Sequence, residues 1–176
     1  DFMMFTSGRG AIHMEETGKK LYDDGGLYHG FQIWLNMPSK YKWIDPSTDV
    51  HRPEKMADIN AKDYTAKIVL GELFNAKSKI ETLFPVFYFH IKMKAGCRLN
   101  IPTNPQHNAF AYLINGKLEV EGRKSIAANQ VVLYQRGESN IELFSAEGAE
   151  LLLLGGQPHN EPVYAYVSYV CSRTVE

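Results

Sequence analysis

The chain has 176 residues, of which 44% are apolar and 22% are charged, so a folded core is expected and general disorder is excluded. Its 19 basic residues nearly balance its 20 acidic ones and form no long basic run, which argues against direct binding to nucleic acid. No apolar stretch approaches the roughly 20 residues of a membrane span. The two cysteines are too few for a disulfide framework, so we expect free thiols and a cytoplasmic protein, or a nuclear one in a eukaryote.

Strands and turns are predicted from the first residues onward. Asp1–Phe5 has the composition of the end of a strand, and Thr6–Gly10 is a turn because its two glycines allow positive φ. Phe31–Asn36 alternates apolar and polar side chains, which is the period of a strand. The polar segment Pro38–Lys62 contains three prolines and is interpreted as a crossing segment or linker.

The rest of the chain is dominated by short apolar and aromatic runs that end at turn residues. The strands predicted from these runs are Tyr64–Leu70, Pro85–Met93, Gln130–Tyr134, Ile141–Phe144, Glu150–Leu154 and Val163–Val170. Asn115-Gly116 lies between the apolar runs Phe110–Ile114 and Lys117–Val120, and this pattern predicts a hairpin with a type I′ turn. No segment has the pattern of a long amphipathic helix. Many short strands separated by turns predict an all-β sandwich or barrel.

His13-Met14-Glu15 is the sharpest local candidate for chemistry. Residues i and i+2 of a strand point to the same face, so this imidazole and this carboxylate could bind one cation. The donor pair suits Fe, Mn, Ni or Zn, and a donor set with open positions suits non-haem iron. An H-x-E pair taken alone is also typical of solvated polar residues, and this alternative stays open at the level of the pair.

The residues around this pair resemble the pirin family. Gly8–Glu15 is similar to the second cupin motif of pirins, in which a glycine turn precedes a ligating His and a Glu follows two residues later. Further blocks continue the resemblance in register: His29–Pro38, Lys42–Pro46, Gly71–Glu72, Lys77–Lys79, Leu152–Gly156 and Glu161–Val163. The resemblance covers essentially the whole chain.

The resemblance implies a cupin fold, which is a double-stranded β-helix or jelly-roll barrel. Residues 61–176 are expected to form a complete C-terminal cupin, and residues 1–60 the second half of an N-terminal cupin that carries the metal motif. In the C-terminal cupin, Gly96 and Gly116 hold the glycine positions of the first cupin motif. The positions where cupins place ligands are occupied by residues unsuited to such a metal site: Pro102, Asn104, Ala109 and Asn140. The C-terminal barrel is therefore expected to lack a metal.

The resemblance also implies a function. It makes His13 and Glu15 metal ligands, with Fe(II) the expected divalent metal and Glu15 a candidate general base. Pirins are associated with quercetin 2,3-dioxygenase activity, which implies an oxidoreductase acting on a small flavonoid-like substrate. The alternative is a non-enzymatic, metal-dependent transcription cofactor that binds a protein partner.

One departure from the family concerns the remaining ligands. Pirins place two His ligands upstream as H-x-H, and no such pair precedes Asp1. We therefore expect either a fragment, inactive and metal-free when isolated, or a form that does not bind metal as the family does. The unpaired strand edges of a half barrel also predict that residues 1–60 either pair across a homodimer or pack poorly.

Overall fold

The computed structural model describes residues 1–14, 16–120, 124–166 and 169–171. Helix is confined to α1 (Lys19–Asp24) and to 3₁₀ turns at Ser39–Tyr41 and Pro53–Lys55, and no helix among the described residues is long and apolar enough to cross a membrane. The strands, numbered in chain order, are β1 Phe2–Thr6, β2 Ser47–His51, β3 Ala57–Asn60, β4 Tyr64–Leu70, β5 Glu72–Leu73, β6 Ala76–Lys77, β7 Val86–Met93, β8 Cys97–Pro102, β9 Asn108–Val120, β10 Lys124–Ala127, β11 Val131–Tyr134, β12 Asn140–Ser145, β13 Ala149–Gly156, β14 Tyr164–Tyr166 and β15 Tyr169–Cys171. The prediction of an all-β fold is confirmed.

The chain divides into two compact units, which are described separately. The first comprises residues 1–2 and 50–158, and the second comprises residues 3–49 with the chain after 158. The first unit contains a sheet in the order β3-β4-β7-β13-β9-β12-β8, in which β10 and β11 also pair with β9. The division predicted at residue 60 stays a prediction.

Side chains on the strands of the first unit alternate between the buried core and the solvent. In β8, Leu99 and Ile101 are buried while Arg98 and Asn100 are exposed, which is the period-two pattern of a half-buried strand. The same alternation on the neighbouring strands builds one core, whose fully buried large members are Ile68, Leu73, Ile91, Ile101, Leu113, Leu118, Leu143, Leu151 and Leu153. Phe89 and Ile91 of β7 are buried in this core, and Phe87 packs against it.

The predicted hairpin at Asn115-Gly116 is wrong, because β9 continues through both residues as one strand. Gly116 has φ +80°, and a Cβ there would stand 2.1 Å from the carbonyl oxygen of Gly148. The register with β13 shifts between Glu150 and Leu151, so β9 carries one extra residue beside them, which is a β-bulge. A glycine is required at this point because β13 approaches too closely for a side chain.

The structure corrects three further predictions. The predicted strand at 31–36 is wrong, since this segment has no regular secondary structure. The predicted linker at 38–62 instead contains β2 and β3. The single strand predicted at 163–170 is replaced by β14 and β15, which pair antiparallel, and residues 167–168 between them lie outside the described part of the chain.

Hydrogen bonds join distant segments of the second unit. The Glu161 carboxylate accepts hydrogen bonds from the Ser39 backbone N–H at 2.8 Å and from the Ser39 hydroxyl at 3.0 Å. His159 Nε2 lies 2.7 Å from the Asn36 carbonyl oxygen. Because a carbonyl can only accept, Nε2 is the protonated ring nitrogen of His159. The segment after residue 158 is thus fixed to the segment at 36–39.

Candidate functional site

His13 follows β1 by way of a tight turn. Gly10 donates its backbone N–H to the Ser7 carbonyl at 2.9 Å, and Gly8 adopts φ +49°. The turn is anchored because Arg9 donates its backbone N–H to the Ile44 carbonyl at 2.9 Å. A Cβ at Gly8 would lie 2.1 Å from that same carbonyl oxygen, so only glycine fits. The predicted glycine turn is confirmed.

His13 itself lies in an irregular segment, not on a strand, so that part of the prediction is wrong. Its neighbours Ile12 and Met14 are exposed, which shows that no sheet covers either face of this segment. The His13 ring packs on the Phe5 ring of β1, with 4.2 Å between the ring centroids. The contact holds the imidazole beside β1 while the side chain remains exposed.

The predicted partner of His13, Glu15, lies outside the described residues, so the convergence of the two side chains stays a prediction. Within the described ranges, no group of three or more His, Cys, Asp or Glu side chains is placed to hold a metal ion. Transition-metal sites in proteins ordinarily take three or more protein ligands. The described residues by themselves therefore do not fit a transition metal, and His13 provides only one donor.

The positions where cupins place metal ligands, which hold unsuited residues in this chain, lie around one end of the sheet of the first unit. Pro102 ends β8 and pairs in register with Asn140 of β12, while Ala109 is buried near the start of β9. Asn104 is in the loop between β8 and β9, where its Oδ1 accepts a hydrogen bond from the Gln106 backbone N–H at 2.9 Å. The Asn104 side-chain oxygen thus stabilises its own loop.

His107 closes the same loop and is half-buried. Its backbone N–H donates to the Asn104 carbonyl at 2.9 Å. Burial lowers the pKa of the His107 imidazole, so its neutral form is favoured near pH 7. A cavity of about 200 Å³ lies beside it and is also lined by Glu72, Phe87 and Phe89. Sequence reasoning missed Glu72 as a site residue, because it is far from His107 along the chain.

His90 has a structural role on the outer face of the sheet. His90 Nε2 lies 2.7 Å from the Glu150 carboxylate, and Lys92 Nζ lies 3.1 Å from the same oxygen. Burial alone would raise the pKa of Glu150, but the hydrogen bonds from His90 and Lys92 outweigh it and lower that pKa below its ordinary value. The three side chains form a polar cluster that joins β7 to β13.

Cys97 is a core residue rather than a reactive one. Its thiol is free and buried, and burial raises its pKa. A thiol becomes a good nucleophile when its pKa is lowered, so Cys97 lacks the environment of a catalytic cysteine.

Comparisons with known proteins agree with this fold. Residues 88–176 match the family model of the pirin C-terminal cupin domain. A pirin-like protein of Caulobacter vibrioides is 32% identical over 154 residues, which is 87% of this chain and 52% of that protein. A Pseudomonas aeruginosa protein, provisionally named a quercetin 2,3-dioxygenase, is 25% identical over 178 residues, covering all of this chain and 62% of that one.

A solved structure shares the same architecture. The crystal structure of quercetin 2,3-dioxygenase from Acinetobacter baumannii superposes with a TM-score of 0.75 at 22% identity, covering 80% of this chain and 49% of that one. The chain therefore spans about half to three fifths of the length of the relatives that it matches. The predicted cupin fold is confirmed, and the chain belongs to the pirin family.

Proposed function

We propose that this chain is the greater part of a metal-dependent oxygenase that acts on a flavonol such as quercetin. The observation that carries the proposal is membership of the pirin family. The resemblance of Gly8–Glu15 to the metal motif of pirins supports it. Two similar proteins bear the name quercetin 2,3-dioxygenase, which supports a flavonoid-like substrate. Both cysteines are free thiols, which supports a cytosolic location as part of the proposal.

The proposal gives two residues of this chain a role at the metal. His13 would provide a neutral imidazole donor, and Glu15 a carboxylate that also takes the proton of the flavonol hydroxyl. A divalent metal, expected as Fe(II), would supply Lewis acidity and open positions for substrate. Because the described residues hold no complete donor set, the remaining ligands must come from polypeptide outside them. The activity is therefore proposed for the full-length protein.

The test measures metal content and oxygen uptake with quercetin in the full-length protein and in its His13→Gln variant. We expect the variant to lose bound metal and to lower oxygen uptake by more than about tenfold, since ligand-shell changes typically cost at least that much. His29→Gln is the matched control, because His29 is likewise exposed and packs on a phenylalanine, with 5.1 Å between its ring and that of Phe31. Absence of oxygen uptake by the metal-loaded, full-length protein would refute the proposal.

A second candidate function is a metal-dependent module that binds a protein, including a second copy of itself. It is favoured by the apolar surface of residues 27–35, where Leu27 is 92% exposed and Trp34 is 60% exposed. Contiguous exposed apolar side chains commonly mark an interaction surface. Light scattering after size exclusion tests self-association, which Trp34→Asp should abolish. A chain that stays monomeric at high concentration would count against the dimer.

A further inference from the structure

The cavity beside His107 lies wholly within the first unit. Its lining includes Pro102 and Asn104, which stand at two positions where cupins place metal ligands. At about 200 Å³ it is smaller than the roughly 300–1,000 Å³ typical of sites for drug-sized ligands. A single-ring molecule is therefore a better match in size than a three-ring flavonol.

One wall of the cavity is aromatic. Phe87 and Phe89 stack with 5.2 Å between their ring centroids and an interplanar angle of 22°. Phe89 is buried in the core, while Phe87 is half-buried. Aromatic walls favour a flat apolar ligand, and the faces of their rings also attract a cation.

Glu72 contributes a negative charge to the lining of the cavity. This carboxylate is exposed at the rim, and it forms no hydrogen bond or ion pair with any residue that the structure describes. His107 does not offset this charge, because burial favours its neutral form. Lys77 faces Glu72 across the β5–β6 pair, but it lines a neighbouring hollow and makes no ion pair with Glu72. The cavity thus presents, next to aromatic rings, a carboxylate that makes no ion pair with any described residue.

We propose that this cavity binds a small aromatic ammonium, meaning one ring that carries a primary amine on a short chain. The ring would pack against Phe87, and the ammonium would pair with the Glu72 carboxylate. The site uses no metal and no residue of the proposed oxygenase centre. Its success or failure is therefore independent of the proposed function.

Three probes of nearly equal size and different charge test the proposal: phenethylamine, 2-phenylethanol and phenylacetate. Binding is followed by the amide NMR signals of 86–89 and 103–107 in the 176-residue chain. We expect phenethylamine to bind about fivefold more tightly than the alcohol. A solvent-exposed ion pair typically contributes an affinity difference of about this size. Phenylacetate should bind most weakly.

Two variants test which residues cause this order of probe affinities. Glu72→Gln should remove the preference for the ammonium, whereas Lys77→Gln should increase it by removing a competing cation. The matched control is Glu54→Gln, at an exposed glutamate outside the cavity lining, which should leave the order unchanged. The proposal is overturned if no probe shifts these amides at millimolar concentration, if the three probes bind equally, or if Glu72→Gln keeps the order.

Discussion

Ser145 gives the sharpest prediction of stability, because it is the one buried polar residue in the core of the described residues. Its hydroxyl donates to the Lys117 carbonyl at 2.6 Å and accepts from the Gly148 backbone N–H at 2.9 Å, and the residue is 0% exposed. Ser145→Ala removes both hydrogen bonds and leaves the Lys117 carbonyl and the Gly148 N–H without this partner. We expect a loss of about 1–3 kcal/mol in the free energy of unfolding.

Thr103→Val is the matched control, since the Thr103 hydroxyl oxygen is buried but has no hydrogen-bond partner among the described residues. Replacing it with a methyl group removes an unsatisfied polar atom, so stability should stay unchanged or rise. The measurement is urea denaturation followed by far-ultraviolet circular dichroism. The reasoning is refuted if Ser145→Ala is as stable as the wild type, or if Thr103→Val destabilises the chain as much as Ser145→Ala.

Two further predictions concern the backbone and pH. Gly116→Ala should lower the free energy of unfolding by about 2 kcal/mol or more, because it adds a clash with Gly148 to the strain of positive φ. The control is Gly96→Ala, where φ is +76° but no atom lies within 4 Å of the added Cβ. It should lower the free energy of unfolding clearly less in the same denaturation assay. Because the pKa of Glu150 is lowered in the folded state, its carboxylate stabilises the fold fully at any pH above the ordinary glutamate pKa. This stabilisation is lost as the pH falls through the pKa of Glu150 in the folded state. Wild type should therefore lose more stability than Glu150→Gln between about pH 5 and pH 3.

Strands with a strong local pattern could be predicted from the sequence. β4 has the predicted bounds, because its apolar run ends at Gly71, and β7 differs by one residue at its start. The prediction failed where tertiary contacts decide the backbone. Asn115-Gly116 has the local chemistry of a turn, yet both residues pair with β13 and continue β9, and the bulge falls beside them at Ile114. Phe31–Asn36 alternates like a strand but pairs with no strand among the described residues.

The candidate sites differ in how far local sequence could reveal them. The turn before His13 was predictable because closely spaced glycines indicate positive φ. The packing of His13 on Phe5 was not, since nothing in the spacing of the two residues requires it. The cavity brings Glu72 of β5 next to His107 of the β8–β9 loop, and such long-range proximity leaves no local signal.

The pairing of β13 has a consequence for synthesis on the ribosome. β13 lies between β7 and β9, and its register with β7 runs from Met93 with Ala149 to Val86 with Gly156. The strands on both sides of it are translated earlier, and in the sheet formed by the described residues β13 is the strand that joins them. A nascent chain that ends before Ala149 therefore lacks the centre of its sheet and leaves two apolar edges open to chaperones or to other nascent chains.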